Sequence, residues 1–403
     1  VVVDWAEVRD MQSDDSRLKI ERVVAVEARD IPFSVGLVPP WNPSQLYTSR
    51  DWVFVMVTAG EGLWGVGYDG EYSPRLPATA KTINEEIAPH LVGQPVDDFE
   101  HHTRFFKQLT LPGRYNFIEW ILYDIHAQWK ALPLYELWGG QNGTIPVYAA
   151  TCQHGRSPAE RARDCIRFRD RGFRAVKLRL SSETIEGDLA LVEACRNAIG
   201  DTMDIMVDAN QVGRLPGCDN ANVFWGLERA VATAQALGRL GVTYLEEPLD
   251  YSLKTEGHKL REGSPIPIAG GEGLRWQERF RDVLDDDIFD IVQPDPLASA
   301  TPTELVRIGR MIADYGRKMI CHHGKGGYGF VAGLHLSAAM GASPWMEYMD
   351  DNEFWQPRGF QPGFVNPVLP DESGCVTCPD VPGLGIEWDI NWLEGLGLAV
   401  PRG

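Results

Sequence analysis

The chain has 403 residues, is 44% hydrophobic and carries a formal net charge of −19, with a pI near 4.9. That length and apolar fraction suffice for a full core in two domains or in one large barrel with additions. The acidity argues against nucleic acid or an anionic membrane as partner, because phosphate binding is driven by clustered Lys and Arg. An acidic small molecule would need local cations or a metal to overcome the same field.

Seven cysteines, scattered from Cys152 to Cys378, do not make a disulfide framework in a chain of this length, and a reducing compartment fits them best. Cys375 and Cys378 form one C-x2-C without a second pair, so they read as two incidental thiols. No stretch approaches the roughly 18 apolar residues of a membrane-spanning helix. The N-terminal run VVVDWAEVRDMQSDDSR lacks the basic-then-apolar pattern of a signal peptide, so a cytoplasmic location is expected.

In chain order, two β-rich runs come first, LKIERVVAVEARDI and DWVFVMVTAGEGLWGVGYD, which read as strands around a long Pro- and Trp-bearing loop, PFSVGLVPPWNPSQLYTSR. Three helical patterns follow, ATAKTINEEIAPHLVG, VDDFEHHTRFFKQLT and NFIEWILYDIHAQWKAL, completing an N-terminal α+β domain over residues 1–143. The pattern then changes. Short apolar runs alternate with amphipathic stretches such as GDLALVEACRNAIG, LERAVATAQALGRLG and TPTELVRIGRMIADYG. The runs are IPVYAA, AVKLRL, DIMVDAN, VTYLEEP, IPIAGGE, DIVQPD, KMICHH and WMEYMD, eight strand candidates that predict a parallel barrel over 144–365. Residues 366–403 are expected to return to the first domain.

In such a barrel the chemistry sits at the C-terminal ends of the strands. Reading those ends in order gives Lys177 and Arg179, then Asp208 and Asn210, Glu246 and Glu247, Glu272, Asp295, His322 and His323, and Glu347. Lys177 and Arg179, two apart on a strand, share a face, so something on that side requires positive charge. Asp208, Glu246 and Glu272 would repel one another if close and unpaired, which a hard divalent cation resolves; oxygen-only ligands suit Mg2+ better than Zn2+. Asp295 and His322 end neighbouring strands, where a carboxylate can orient an imidazole as a general acid/base. His90, His126 and His335 read as hydrogen-bonded core residues, and His323 and Cys321 as facing away from the site.

The motifs MVDAN, YLEEP, GGE, QPD with a His at 322, and WMEY resemble, in order and spacing, those of the enolase superfamily and within it the mandelate racemase subgroup. The resemblance implies a modified (β/α)7β TIM-type barrel under an α+β capping domain. It implies Asp208, Glu246 and Glu272 as Mg2+ ligands, His322 with Asp295 as acid/base, Glu347 at the substrate carboxylate and Lys177 as supporting charge. Arg179 departs from the subgroup, standing where its second lysine, a base, normally lies. With a pKa above about 12 an arginine is a poor proton acceptor but a good partner for an anion.

A racemase commonly needs a base on each face, whereas a lyase needs one. The resemblance therefore implies an acid-sugar dehydratase acting through an ene-diolate, with a small carboxylate substrate and a homo-oligomeric, often octameric, assembly. Asn210 counts against dehydratase groups with a His at that position. Trp41, Tyr47 and Arg50 of the capping loop are expected to line the substrate site, with simple packing of the loop as the competing expectation. The alternatives are a racemase or epimerase using Lys177 or a loop residue as second base, a cycloisomerase, and a non-catalytic barrel.

Overall fold

A computed structural model describes residues 17–401 other than 41, 73–78, 110–113, 142, 214–223, 324–325, 342 and 352–356. Strands β1 (Ile20–Leu37), β2 (Tyr47–Ala59) and β3 (Trp64–Tyr72) form an antiparallel sheet in the order β1-β2-β3. The second β-rich run is thus a hairpin, turned at Gly60–Gly62, and not one strand. Its signal was the Gly-Glu-Gly that interrupts the apolar alternation. The loop expected over 32–50 is shorter, because β1 continues to pair with β2 through Pro32↔Ser49 and Leu37↔Tyr47 after register shifts. Pro32 is tolerated because β1 lies at the sheet edge, where a missing N–H breaks no ladder.

Helices Phe99–Lys107 and Phe117–Trp129 complete the N-terminal part. The second is buried almost all round, so its apolar residues meet the sheet on one side and the barrel on the other. His335 is a core residue, its Nδ1 accepting from Tyr135 N at 3.2 Å and its Nε2 facing Leu384 O at 3.1 Å. His126 is buried between Phe99 and Trp129. His90 is not part of the core: it is exposed and lies against the ring of Phe105, since it falls on the solvent side of its helix.

The eight expected parallel strands are β4 (Thr144–Ala150), β5 (Ala175–Arg179), β6 (Asp204–Asp208), β7 (Leu245–Glu246), β8 (Ile268–Gly270), β9 (Ile291–Val292), β10 (Lys318–Met319) and β11 (Met346–Met349). They pair in the order β10-β9-β8-β7-β6-β5-β4-β11, with helices between them. Local chemistry starts those helices: Ser157 and Glu160 make a reciprocal capping box before Pro158–Asp170, and Thr184 accepts from Gly187 N before Ile185–Ile199. Backbone pairing does not join β10 to β11. A side chain does so instead, because Glu347 Oε2 on β11 accepts from His323 N, just beyond β10, at 2.8 Å.

The C-terminal segment adds β12 (Cys375–Thr377) antiparallel to β4, then crosses to the N-terminal part. There Leu384 N donates to Asp124 Oδ1 at 2.7 Å and Trp392 packs on Phe54. Cys375 and Cys378 are buried free thiols. No helix among the described residues is long and apolar enough to cross a membrane.

The turn before β12 depends on Gly374, which has φ +67° and stands against the carbonyl of Gly172, so an added Cβ would collide with backbone. Gly62, at φ +70°, has open space around it. Gly62→Ala should cost about 1–2 kcal/mol, the left-handed backbone alone, and Gly374→Ala clearly more. Chemical denaturation of both variants checks this, and equal losses would mean that the Gly172 contact relaxes freely.

Candidate active site

The alternation of β5 turns Lys177 and Arg179 to one side, into the ring of acids at the strand ends. Lys177 has no exposed surface, and its Nζ lies 3.0 Å from both Glu246 oxygens, 2.6 Å from Glu347 Oε1 and 3.9 Å from Asp208 Oδ2. Burial alone would push its pKa down, but Glu246 and Glu347 outweigh burial and hold it well above the usual lysine range. Arg179 pairs with Asp208, donates from Nε to Thr151 O at 2.9 Å, and reaches Asn210 Oδ1 at 3.4 Å. Asn210 in turn donates to Asp208 from its backbone N at 2.7 Å and from Nδ2 at 3.1 Å. Both cations of β5 are therefore committed to carboxylates.

His322 joins the other side of the mouth, with Nδ1 3.0 Å from Asp295 Oδ2 and Nε2 2.8 Å from Glu272 Oε2. Burial would lower its pKa, but the charge of Glu272 and the hydrogen bond to Asp295 hold it well above the usual imidazole value. His323 points away from these acids. Its ring packs against Phe330 and Phe360, and burial pushes its pKa down to about 3. Cys321 likewise turns to the helix layer, where Ser337 Oγ lies 3.6 Å from its Sγ.

Asp208, Glu246 and Glu272 feel one another. The Asp208 pKa is raised to about 7, chiefly by burial and then by Glu246, with Glu272 adding and Arg179 and Lys177 opposing. Glu247, buried with φ +46°, belongs to the same cluster; burial, then Glu272 and Asp208, raise its pKa well above the carboxylate range. Among the described residues no three such side chains already converge as a closed ligand set, because each acid is turned toward a cationic neighbour. The donor chemistry nonetheless fits a hard divalent cation. Asp208, Glu246, Glu247, Glu272, Asp295 and Glu347 outnumber the cationic side chains near them among the described residues, Lys177, Arg179, Arg275 and His322, and all their donor atoms are oxygen.

Sequence reasoning missed Gln293, which is buried and donates from Nε2 to Glu246 Oε2 at 2.9 Å. Nothing local marks it, because β9 ends at Val292 and Gln293 lies beyond the strand. Trp41 of the capping loop and Lys325 of the glycine-rich stretch GKGGYG lie outside the described residues. Tyr47 is buried, and its hydroxyl accepts from Asn42 Nδ2 at 3.4 Å. Arg50 is buried over the ring of Trp52, 4.9 Å from its centroid, and its charge is felt by His323.

Comparison with known proteins places this arrangement. The model described as Enolase C-terminal domain-like matches residues 160–392, and that of the Mandelate racemase / muconate lactonizing enzyme N-terminal domain matches 38–139. The chain belongs to the enolase superfamily. Within it, this chain is 27% identical over 271 residues to an arabinonate dehydratase of Saccharolobus solfataricus, covering 66% of this chain and 68% of that protein. It is 26% identical over 309 residues to an L-talarate/galactarate dehydratase of Salmonella typhimurium, covering 74% and 73%. Relatives at comparable identity also include cycloisomerases and epimerases, so the superfamily is shared across several reactions. A racemase from Streptomyces coelicolor A3(2), solved with bound magnesium, has the same fold at a TM-score of 0.79 and 22% identity, covering 94% of this chain and 99% of that one.

Removing Lys177 would leave Glu246 and Glu347 buried without their counter-charge. Lys177→Met should therefore lower stability by about 3–5 kcal/mol. Urea unfolding in metal-free buffer measures this directly, and a Lys177→Met protein as stable as the parent would show that the pair does not hold the barrel floor.

Proposed function

We propose that this enolase-superfamily chain is a Mg2+-dependent acid-sugar dehydratase, a hydro-lyase that removes water from an aldonate or aldarate. One observation carries the reading: His322 has a partner arrangement suited to proton transfer, whereas both cations facing it across the mouth are locked as cations. Arg179 is bound to Asp208 and Thr151 O, and Lys177 is held protonated by Glu246 and Glu347. Acid/base chemistry is then one-sided, and one side is sufficient for syn elimination.

Asp208, Glu246 and Glu272 would hold Mg2+, which when bound supplies positive charge beside the substrate carboxylate. With Glu272 committed to that role, His322 would keep Asp295 as its partner, and its imidazole would be the group that takes the proton α to the carboxylate. The carbanion so formed is delocalised into the carboxylate as an ene-diolate, whose added charge Arg179 and Lys177 favour electrostatically. The imidazolium of His322 then returns its proton to the β-hydroxyl, the C–O bond breaks, water leaves, and the enol product tautomerises to a 2-keto-3-deoxy acid. Glu347, fixed by Lys177 and His323 N, bounds the carboxylate end. Asn210, Tyr47 and Arg50, with Trp41, are assigned to substrate contact. The dehydratase relatives support the choice of substrate class.

The test is a screen of the Mg2+-loaded protein against mono- and diacid sugars in D2O, scoring 2-keto-3-deoxy product and deuterium incorporation together. Dehydration of one stereochemical series is the expected result. Epimerisation or exchange without loss of water would favour the epimerase reading, and a lactone-opening product the cycloisomerase one. On the substrate so found, His322→Asn should reduce turnover by about a thousandfold or more with Mg2+ affinity nearly unchanged; surviving turnover would remove His322 from the base role. Arg179→Lys should keep dehydration measurable and introduce solvent exchange on the second face. If Arg179→Lys instead abolishes turnover as completely as His322→Asn, Arg179 has a part in the proton transfer that this mechanism denies it.

A further inference from the structure

Asp295 opens a fully buried turn, residues 295–301, that folds onto its own carboxylate. Leu297 N and Ala298 N each donate to Asp295 Oδ1 at 2.9 Å, and Asp295 N donates to Ser299 Oγ at 2.9 Å. Oδ1 is thereby used up, and Oδ2 faces His322 Nδ1. The direction of that hydrogen bond is set by the turn, so what holds the turn holds the imidazole.

The turn is gripped from outside the barrel. Trp120, wholly buried in the capping-domain helix Phe117–Trp129, donates from Nε1 to Pro296 O at 2.8 Å. The neighbouring Glu119 accepts from Thr303 N at 3.1 Å and from Thr103 Oγ1 at 2.7 Å, and Thr103 Oγ1 lies 2.8 Å from Thr301 Oγ1. Thr301 is the N-cap of helix Pro302–Asp314, yet its side chain caps nothing in its own helix. Its hydroxyl is turned to Thr103, and a carboxylate from another domain takes over the cap. A wholly buried acid at a helix start, held by Thr103 of one domain and Thr303 of the other, is an expensive way to cap a helix but an effective way to fix a turn in space.

We propose that Trp120 and Glu119 are positioning residues for proton transfer: the capping domain sets Asp295 from behind the barrel, and Asp295 sets His322. This rests on the reading of His322 and Asp295 as the acid/base pair. The capping domain then contributes to the chemistry as well as to substrate contact, although neither group that moves the proton belongs to it.

Trp120→Phe keeps the ring and removes only the Nε1 donor, and Glu119→Gln keeps shape while removing charge; Asp295→Asn serves as the reference. The measurements are amide exchange at Leu297 and Ala298, the Nδ1 resonance of His322 in 15N-labelled protein, Mg2+ affinity by calorimetry, and kcat and KM on the acid sugar found by screening. Trp120→Phe should speed exchange of the two amides by about tenfold and move the His322 resonance toward that of Asp295→Asn. It should lower kcat by about tenfold or more, with KM and Mg2+ affinity held within about twofold. Glu119→Gln should act in the same direction and decides the matter if Trp120→Phe does not fold. Unchanged amide exchange and an unchanged His322 resonance would overturn the proposal, as would a loss of kcat accompanied by faster exchange throughout the barrel. If Asp295→Asn itself leaves kcat untouched while Trp120→Phe still loosens the turn, the acid/base reading fails and the mechanical link stands.

Discussion

A lysine with no exposed surface holds Glu246 and Glu347 together beneath the barrel mouth, and the arrangement of the site follows from satisfying that buried charge. Charges removed from water must be paired or neutralised, and in a low-dielectric interior their partners are fixed in number and direction. Glu246 is therefore oriented by three hydrogen bonds, two from Lys177 and one from Gln293. Glu347 uses its second oxygen on His323 N, joining β10 to β11 where the backbone ladder is missing. The same side chain thus completes an electrostatic cluster and the closure of the barrel. Substitutions at these positions would be felt in both stability and site geometry.

Much of this was legible in the sequence because the constraints are local or periodic. A strand of period two places Lys177 with Arg179 on a shared face, and polar residues at successive strand ends have no packing explanation. What was not legible lies in contacts between distant segments. The β1 strand runs past its apolar stretch because β2 offers it a ladder. Gln293 is unremarkable until Glu246 stands opposite it. Glu119 and Trp120 read simply as members of a buried helix, since nothing local announces that their polar atoms reach Thr303 and Pro296. His90 was misjudged because a helix face cannot be assigned without knowing which side meets the core.

Where the family resemblance implies a second lysine, this chain carries Arg179, and the difference is one of fixed charge as well as of a base. A guanidinium fixed on Asp208 and Thr151 O is a stationary cation, whereas a lysine at that place would have to shed its proton to act as a base and would then leave Asp208 with less counter-charge. The site is asymmetric as a result: permanent positive charge on the β5 side, and an exchangeable proton on the β10 side. That asymmetry also bears on the acidity of the whole chain. With a net charge of −19, the protein's long-range field opposes an anionic substrate, and the six carboxylates around the mouth outnumber the cations that face them. An acid can be held there only if the excess is neutralised at short range, where separations of a few ångströms make local charge dominate over a screened distant field. On the proposed assignment, a divalent cation held by Asp208, Glu246 and Glu272 would do this and would leave His322 with Asp295 as its partner. Binding of the acid and readiness of the base would then be two expressions of one electrostatic requirement.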